Sequence, residues 1–221
     1  MSTKFGKAVL MLGVFLATSI APAGDIFAQN RDHLTLRAET KIFVEGRKPA
    51  LVGETLTLFD SAVVYDVQLP DRSQIAVFDI PRSTIILLDA KRKLRTTIKS
   101  EDLIQFMTAL KQQAIETGKS ETIGIHTQPH GDPKTGIYQA GFPGFLYVAQ
   151  TQPASRSELA HLYSEFTGWA IRLNTYQHPH GAPFARLALN EQMSVGGVLP
   201  QSITLKATMG EQTDPSFRAS I

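Results

Sequence analysis

Histidines are the residues of this 221-residue chain best suited to chemistry, and four of the six fall around two similar loops. Pro129-His130-Gly131-Asp132-Pro133 and Pro179-His180-Gly181-Ala182-Pro183 share the pattern Pro-His-Gly-x-Pro, with His126 and His178 just ahead of them. Neutral imidazole ligates zinc, copper and nickel. His126, His130, His178 and His180, joined by Asp132, are therefore the candidates for a His-based metalloenzyme. A metal site needs three or four ligands in one fixed geometry. Turn formation by Pro and Gly explains both loops with fewer conditions, so no metal or other cofactor is assigned. His33 and His161 read as exposed.

Carboxylates recur at Asp60, Asp66, Asp79 and Asp89, close to expected strand ends. A glycosidase would need two of them facing each other across a cleft, whereas turn formation explains all four. The chain has no Gly-x-Ser-x-Gly elbow and no Ser-x-x-Lys. Gly196-Gly197 closes a helix rather than cradling a phosphate. With 0 cysteines there is no thiol nucleophile, Cys-ligated zinc, iron–sulfur site or disulfide framework. No catalytic residue is assigned, and the chain reads as a non-enzyme.

Two further clusters suit binding. Lys91-Arg92-Lys93 with Arg95 would suit an anionic headgroup or polysaccharide, but a solvated hairpin tip that guards a sheet edge is the simpler reading. Tyr163, Phe166 and Trp169 form an aromatic stripe at helical spacing. With Phe106 and Leu110 on a neighbouring helix, they are the candidates to line a cavity for an apolar ligand; the alternative is that they fill a core. The formal net charge of +2 gives no basis for nucleic-acid binding. A hydrophobic content of 43% with 19% charged residues is that of a folded chain.

These side chains need elements to hold them. Residues 1–28 have the form of a secretory signal peptide: Lys4 and Lys7, an apolar run over 8–21, then Ala21-Pro22-Ala23 and Ile26-Phe27-Ala28 as cleavage sites, the second preferred. The run is shorter than the roughly 20 residues that span a bilayer. The expected product is a soluble periplasmic or secreted protein, exported by the general secretory route and not inserted in the membrane. Alternating patterns predict strands over 34–45, 52–59, 63–69, 75–78, 84–88 and 94–98, joined by short turns into one antiparallel sheet. Ser100 is expected to cap a helix that Gly118 stops. Weaker strands follow over 121–126, 135–140 and 145–150. Ser155-Arg156-Ser157-Glu158 matches a capping box ahead of the aromatic helix, Pro183 opens a third helix, and 202–208 is a last strand. The expected whole is one α+β domain over 29–209 with about ten strands and three helices, and a loose tail over 210–221.

Residues 66–97 carry the series Asp-Val-Gln-Leu, Ile-Ala-Val-Phe-Asp and Ile-Ile-Leu-Leu-Asp-Ala-Lys-Arg-Lys-Leu-Arg-Thr. This text resembles the repeated hairpins of exported lipoprotein carriers of the LolA type, and the order strand–helix–strand–helix over 34–208 agrees with that family. The resemblance implies an antiparallel sheet curled as an unclosed half-barrel, helices on its concave face, and an apolar ligand such as a lipid or a lipoprotein acyl chain. The chain departs from the family in lacking a helix before its first strand and in ending on a lone strand, so no family residue is carried over. The alternative is a cell-envelope interaction protein with a filled core.

Overall fold

The structure is a computed structural model that describes residues 15–21, 35–44, 50–60, 63–178 and 183–207. Its first strands are β1 (Phe15–Ala21), β2 (Thr35–Val44), β3 (Ala50–Asp60) and β4 (Val63–Leu69). They are followed by β5 (Gln74–Asp79), β6 (Thr84–Asp89), β7 (Leu94–Lys99) and the helix α1 (Ser100–Glu116). Then come β8 (His130–Asp132), β9 (Ile137–Phe142), β10 (Phe145–Pro153), α2 (Ser157–Gln177), α3 (Pro183–Val195) and β11 (Val198–Ala207). The strand order is β7-β6-β5-β4-β3-β2-β1-β11-β10-β9-β8. Every neighbouring pair is antiparallel. The protein is thus α+β: one unclosed 11-stranded antiparallel sheet whose two halves, β2–β7 and β8–β11, meet through β1, with β7 and β8 at the outer edges. Strand β1 lies within the expected leader. The rest of that leader, and the expected tail over 210–221, lie outside the described residues.

The hairpins β4–β5, β5–β6 and β6–β7 follow from local chemistry. Asp79 and Asp89 each accept the backbone N–H three residues on, from Arg82 at 3.3 Å and from Arg92 at 2.9 Å. Ser83 and Lys93 then take positive φ of 50° and 55°, the left-handed residue of a bulged hairpin turn. Register is fixed by a row of inward side chains, Phe59↔Val64↔Phe78↔Ile85↔Ile98. All but Ile98 are sealed in the larger core beside Leu103 of α1 and Leu162, Tyr163 and Phe166 of α2. A second core lies under α3, where Leu189 and Met193 meet Tyr138, Ala149 and Ile203. The register carries one face of the sheet through both cores, and the three helices pack on that face.

Several local expectations need correction. Helix α1 begins at Ser100 itself and α2 at Ser157, and neither helix has a side-chain cap bond. Ser100 is drawn into the core instead, and the Ser155 box fails because the helix starts two residues later. Residues 121–126 are consecutive turns rather than a strand; Gly124 takes φ of 74° and Ile125 N–H bonds back to Ser120. Asp66 is not a turn residue, because it stands in the middle of β4 on the inward face. Gly118 (φ 67°), Pro183 and Gly197 (φ 64°) do stand at helix ends as their types require.

Candidate functional site

The five candidate ligand-binding residues divide into a floor and a rim. Tyr163 and Phe166 are buried at one face of α2. Phe166 meets Phe59 edge-on at 5.3 Å and Phe78 edge-on at 5.0 Å, and Tyr163 lies 6.4 Å from Phe59. This cluster fills the inward face over β3–β5. Phe106, Leu110 and Trp169 are only half-buried. Phe106 of α1 meets Tyr176 of α2 edge-on at 5.3 Å, and the Arg172 guanidinium lies 5.0 Å above the Trp169 ring. The helical periods explain the split, since Phe106 and Leu110 are one turn apart and Trp169 and Tyr176 two turns apart.

Beside the sealed row the inward face of the sheet is incompletely covered. Ala76, Leu87 and Ile98 face inward but stay half-exposed, packed against the core together with Trp169 and Ala170. They adjoin a half-buried carboxyl. Asp66 shares one inward row with Thr57, Ala76 and Leu87. The Thr57 hydroxyl donates to Asp66 Oδ1 at 2.7 Å. Burial pushes the Asp66 carboxyl above its ordinary value, partly offset by hydrogen bonds from Thr57 and Thr55. The arrangement is a partly exposed apolar strip, Ala76 and Leu87, in one row with a half-buried acid, Asp66. Sequence reasoning missed Asp66 because Val64, Asp66 and Gln68 form the more polar parity of β4, which alternation assigns to solvent, whereas the register turns that parity inward.

A second polar feature lies between α2 and α3. Arg186 is buried and donates through Nη1 to Asn190 Oδ1. Asn190 Nδ2 donates to Thr167 Oγ1 at 2.8 Å, and Thr167 Oγ1 donates to Tyr163 O at 2.8 Å. Ser164 Oγ donates to Asn190 O at 3.2 Å. Burial pushes the guanidinium down, and Tyr163 and Tyr147 partly restore it. Among the described residues no carboxylate pairs with Arg186. This network stitches the two helices together.

The histidines do not converge. His126 lies in the turn segment, His130 opens β8 and His178 ends α2, while His180 lies outside the described residues. Among the described residues no group of three or more His, Asp or Glu is placed to hold a metal ion. The basic tip is largely self-neutralised, because Lys91 pairs with Asp71 and Arg92 with Asp89. The Lys91 ammonium and the bonds from Ser73 hold the Asp71 carboxyl down at about 2. An open depression of about 400 Å³ lies between these hairpin tips, and another of about 560 Å³ runs along α2 and α3 past Leu162 and Val195. Neither is lined by the five candidate residues. Among the described residues no helix is long and apolar enough to cross a membrane. Set against family models, curated proteins and solved structures, the chain finds no match in any of the three.

Proposed function

We propose that this is an exported, non-catalytic binding protein that holds an apolar ligand, a lipid or lipoprotein acyl chain, in a LolA-like half-barrel. One observation carries the reading. Ala76, Leu87 and Ile98 stay partly exposed on the inward face, packed against the edge of the larger core, while the row from Phe59 to Ile85 is sealed. An acyl chain laid along that strip completes its burial, at about 25 cal/mol per Å² of apolar area removed from water. Phe106, Leu110 and Trp169 form the entrance, and Tyr163 and Phe166 the floor. The signal-peptide form of residues 1–28 supplies the route to the periplasm or cell exterior.

The ring packing of Phe59, Phe78 and Phe166 supports the second reading, an envelope interaction protein with a filled core. Trp169 separates the two because it is the sole tryptophan, so intrinsic fluorescence reports on the rim alone. Titration with oleate is expected to shift its emission to the blue and to saturate, with native mass spectrometry showing one bound chain. Leu87→Asp is expected to abolish both signals while the protein stays folded by circular dichroism. Unchanged emission and a bare mass in oleate would establish the filled-core reading instead.

A further inference from the structure

The face of the β2–β7 half turned away from the helices is also apolar. An antiparallel sheet with one covered face ordinarily alternates apolar-in and polar-out. Strands β3–β6 do not. In register, Leu58↔Tyr65↔Val77↔Ile86 form one outward row, and Leu56↔Val67↔Ile75↔Leu88 form the next. Both rows have the opposite parity to Phe59, Val64, Phe78 and Ile85, which meet the helices. Leu58 and Tyr65 are each 39% exposed, and the other six are half-buried. Eight contiguous apolar side chains with no charge among them mark an interaction surface.

The charges at the ends of the rows select the occupant. The second row runs on to Glu39 of β2 at one end and to Arg95 of β7 at the other. The first runs on to Arg37, whose guanidinium pairs with Glu39 of the same chain at 2.6 Å, and to Thr97, so an incoming Arg95 shares the Glu39 carboxylate with Arg37. Half a turn about an axis along the strands, between β4 and β5, lays a second copy face to face with the first. Its β6 then covers β3 and its β5 covers β4, so Leu88 of the second copy meets Leu56 and Ile75 meets Val67. The same operation sets Arg95 of each copy over Glu39 of the other, and long side chains absorb the roughly −30° turn between packed sheets. Six strands about 4.8 Å apart and about 20 Å long present on the order of 600 Å² per copy. Two such faces reach about 1,200 Å², the lower bound for a specific, stable interface. A flat anionic lipid surface would instead be matched by basic residues at both ends of the rows, and Glu39 opposes that.

We infer that the protein forms an isologous dimer through this outer face, with the Glu39–Arg95 pair made twice across the two-fold axis. This inference does not depend on the ligand reading, since it uses the opposite face. Sedimentation velocity on the full chain tests it. The wild type is expected to sediment as a dimer at micromolar concentration, and Ile86→Arg as a monomer. Glu39→Arg is expected to weaken the dimer by about tenfold or more, because it sets like charges face to face. Glu39→Arg combined with Arg95→Glu is expected to restore it. These two positions are solvent-accessible, so the charge-reversal pair remains informative if Ile86→Arg does not fold. A wild type that stays monomeric up to about 100 μM overturns the inference, as does a double reversal that leaves the dimer as weak as the single. Phosphatidylglycerol vesicles that bind a monomer and release it on Ile86→Arg would assign the face to a membrane and also overturn it.

Discussion

Tyr138 is 1% exposed and lies between two glycines from distant parts of the chain. A Cβ on Gly131 would stand 2.3 Å from its Cε1, and a Cβ on Gly196 would stand 2.3 Å from its Oη. This gives the Gly of Pro129-His130-Gly131-Asp132-Pro133 a packing reason rather than a chemical one. Gly131→Ala and Gly196→Ala are each expected to destabilise by about 1–3 kcal/mol through overpacking. Tyr138→Phe should rescue Gly196→Ala, where the hydroxyl is the nearest atom, and not Gly131→Ala, where ring carbons are; urea denaturation of the two double variants checks this. Asp66 gives the second prediction at this scale. Its carboxyl value is raised in the folded state, so the native protein binds that proton more tightly than the unfolded chain. Its contribution is therefore most favourable in acid and is lost as pH climbs from the ordinary value of 3.8 through the raised one. Asp71 and Asp132, both held down, act in the opposite sense and lose their contribution as pH falls. Asp66→Asn is expected to stabilise by on the order of 1 kcal/mol near pH 7. Melting temperatures of wild type and variant should converge as pH falls toward about 4, and a constant gap would contradict the burial argument.

The meander was legible in the sequence because hairpins are local. Asp-Ile-Pro-Arg-Ser over 79–83 and Asp-Ala-Lys-Arg-Lys over 89–93 each supply an acceptor for the turn and a residue forced to positive φ. Lys93→Gly is expected to raise stability by about 0.5–1 kcal/mol, the left-handed strain relieved outweighing the entropy glycine adds to the unfolded chain. A fall in thermal midpoint would mean that Lys93 makes compensating contacts. The α1 and α2 starts were misread for a different reason. Ser100 and Ser155 have the right type and spacing for caps, yet capping depends on where the chain leaves the preceding strand, which tertiary packing decides. Of the candidate site, the aromatic residues were legible from helical spacing. The half-buried acid was not, and neither was the outer apolar face, because alternation says which residues share a face but not which face the helices cover. Runs such as Ile85-Ile86-Leu87-Leu88 satisfy both parities, and only the register resolves them.

At the scale of the whole molecule the two halves of the sheet have more than one bond between them. Strand β1 pairs with β2 over seven residues and with β11 over three, from Phe15↔Thr204 to Ala17↔Ser202. If residues 1–28 are removed on export, that bridge leaves with them. Strands β2 and β11, each antiparallel to β1, would then flank the gap parallel to one another. What still joins the halves is helical. Leu199 of β11 belongs to the core shared by β3–β6 and α2, and Asn190 of α3 holds Thr167 and Ser164 of α2. The chain that starts at Gln29 is therefore expected to unfold in one cooperative transition, with equal calorimetric and van't Hoff enthalpies. Asn190→Ala in that chain removes one acceptor of a buried guanidinium, a change worth about 2–4 kcal/mol, and should lower the midpoint or split the transition. Two transitions already in the unmutated chain would mean that the helices do not couple the two halves. Sequencing the N-terminus of protein taken from the cell envelope then decides which state is native. Gln29 as the first residue makes the α2–α3 seam the principal joint of the mature fold, and an intact residue 1–28 segment would keep β1 in that role.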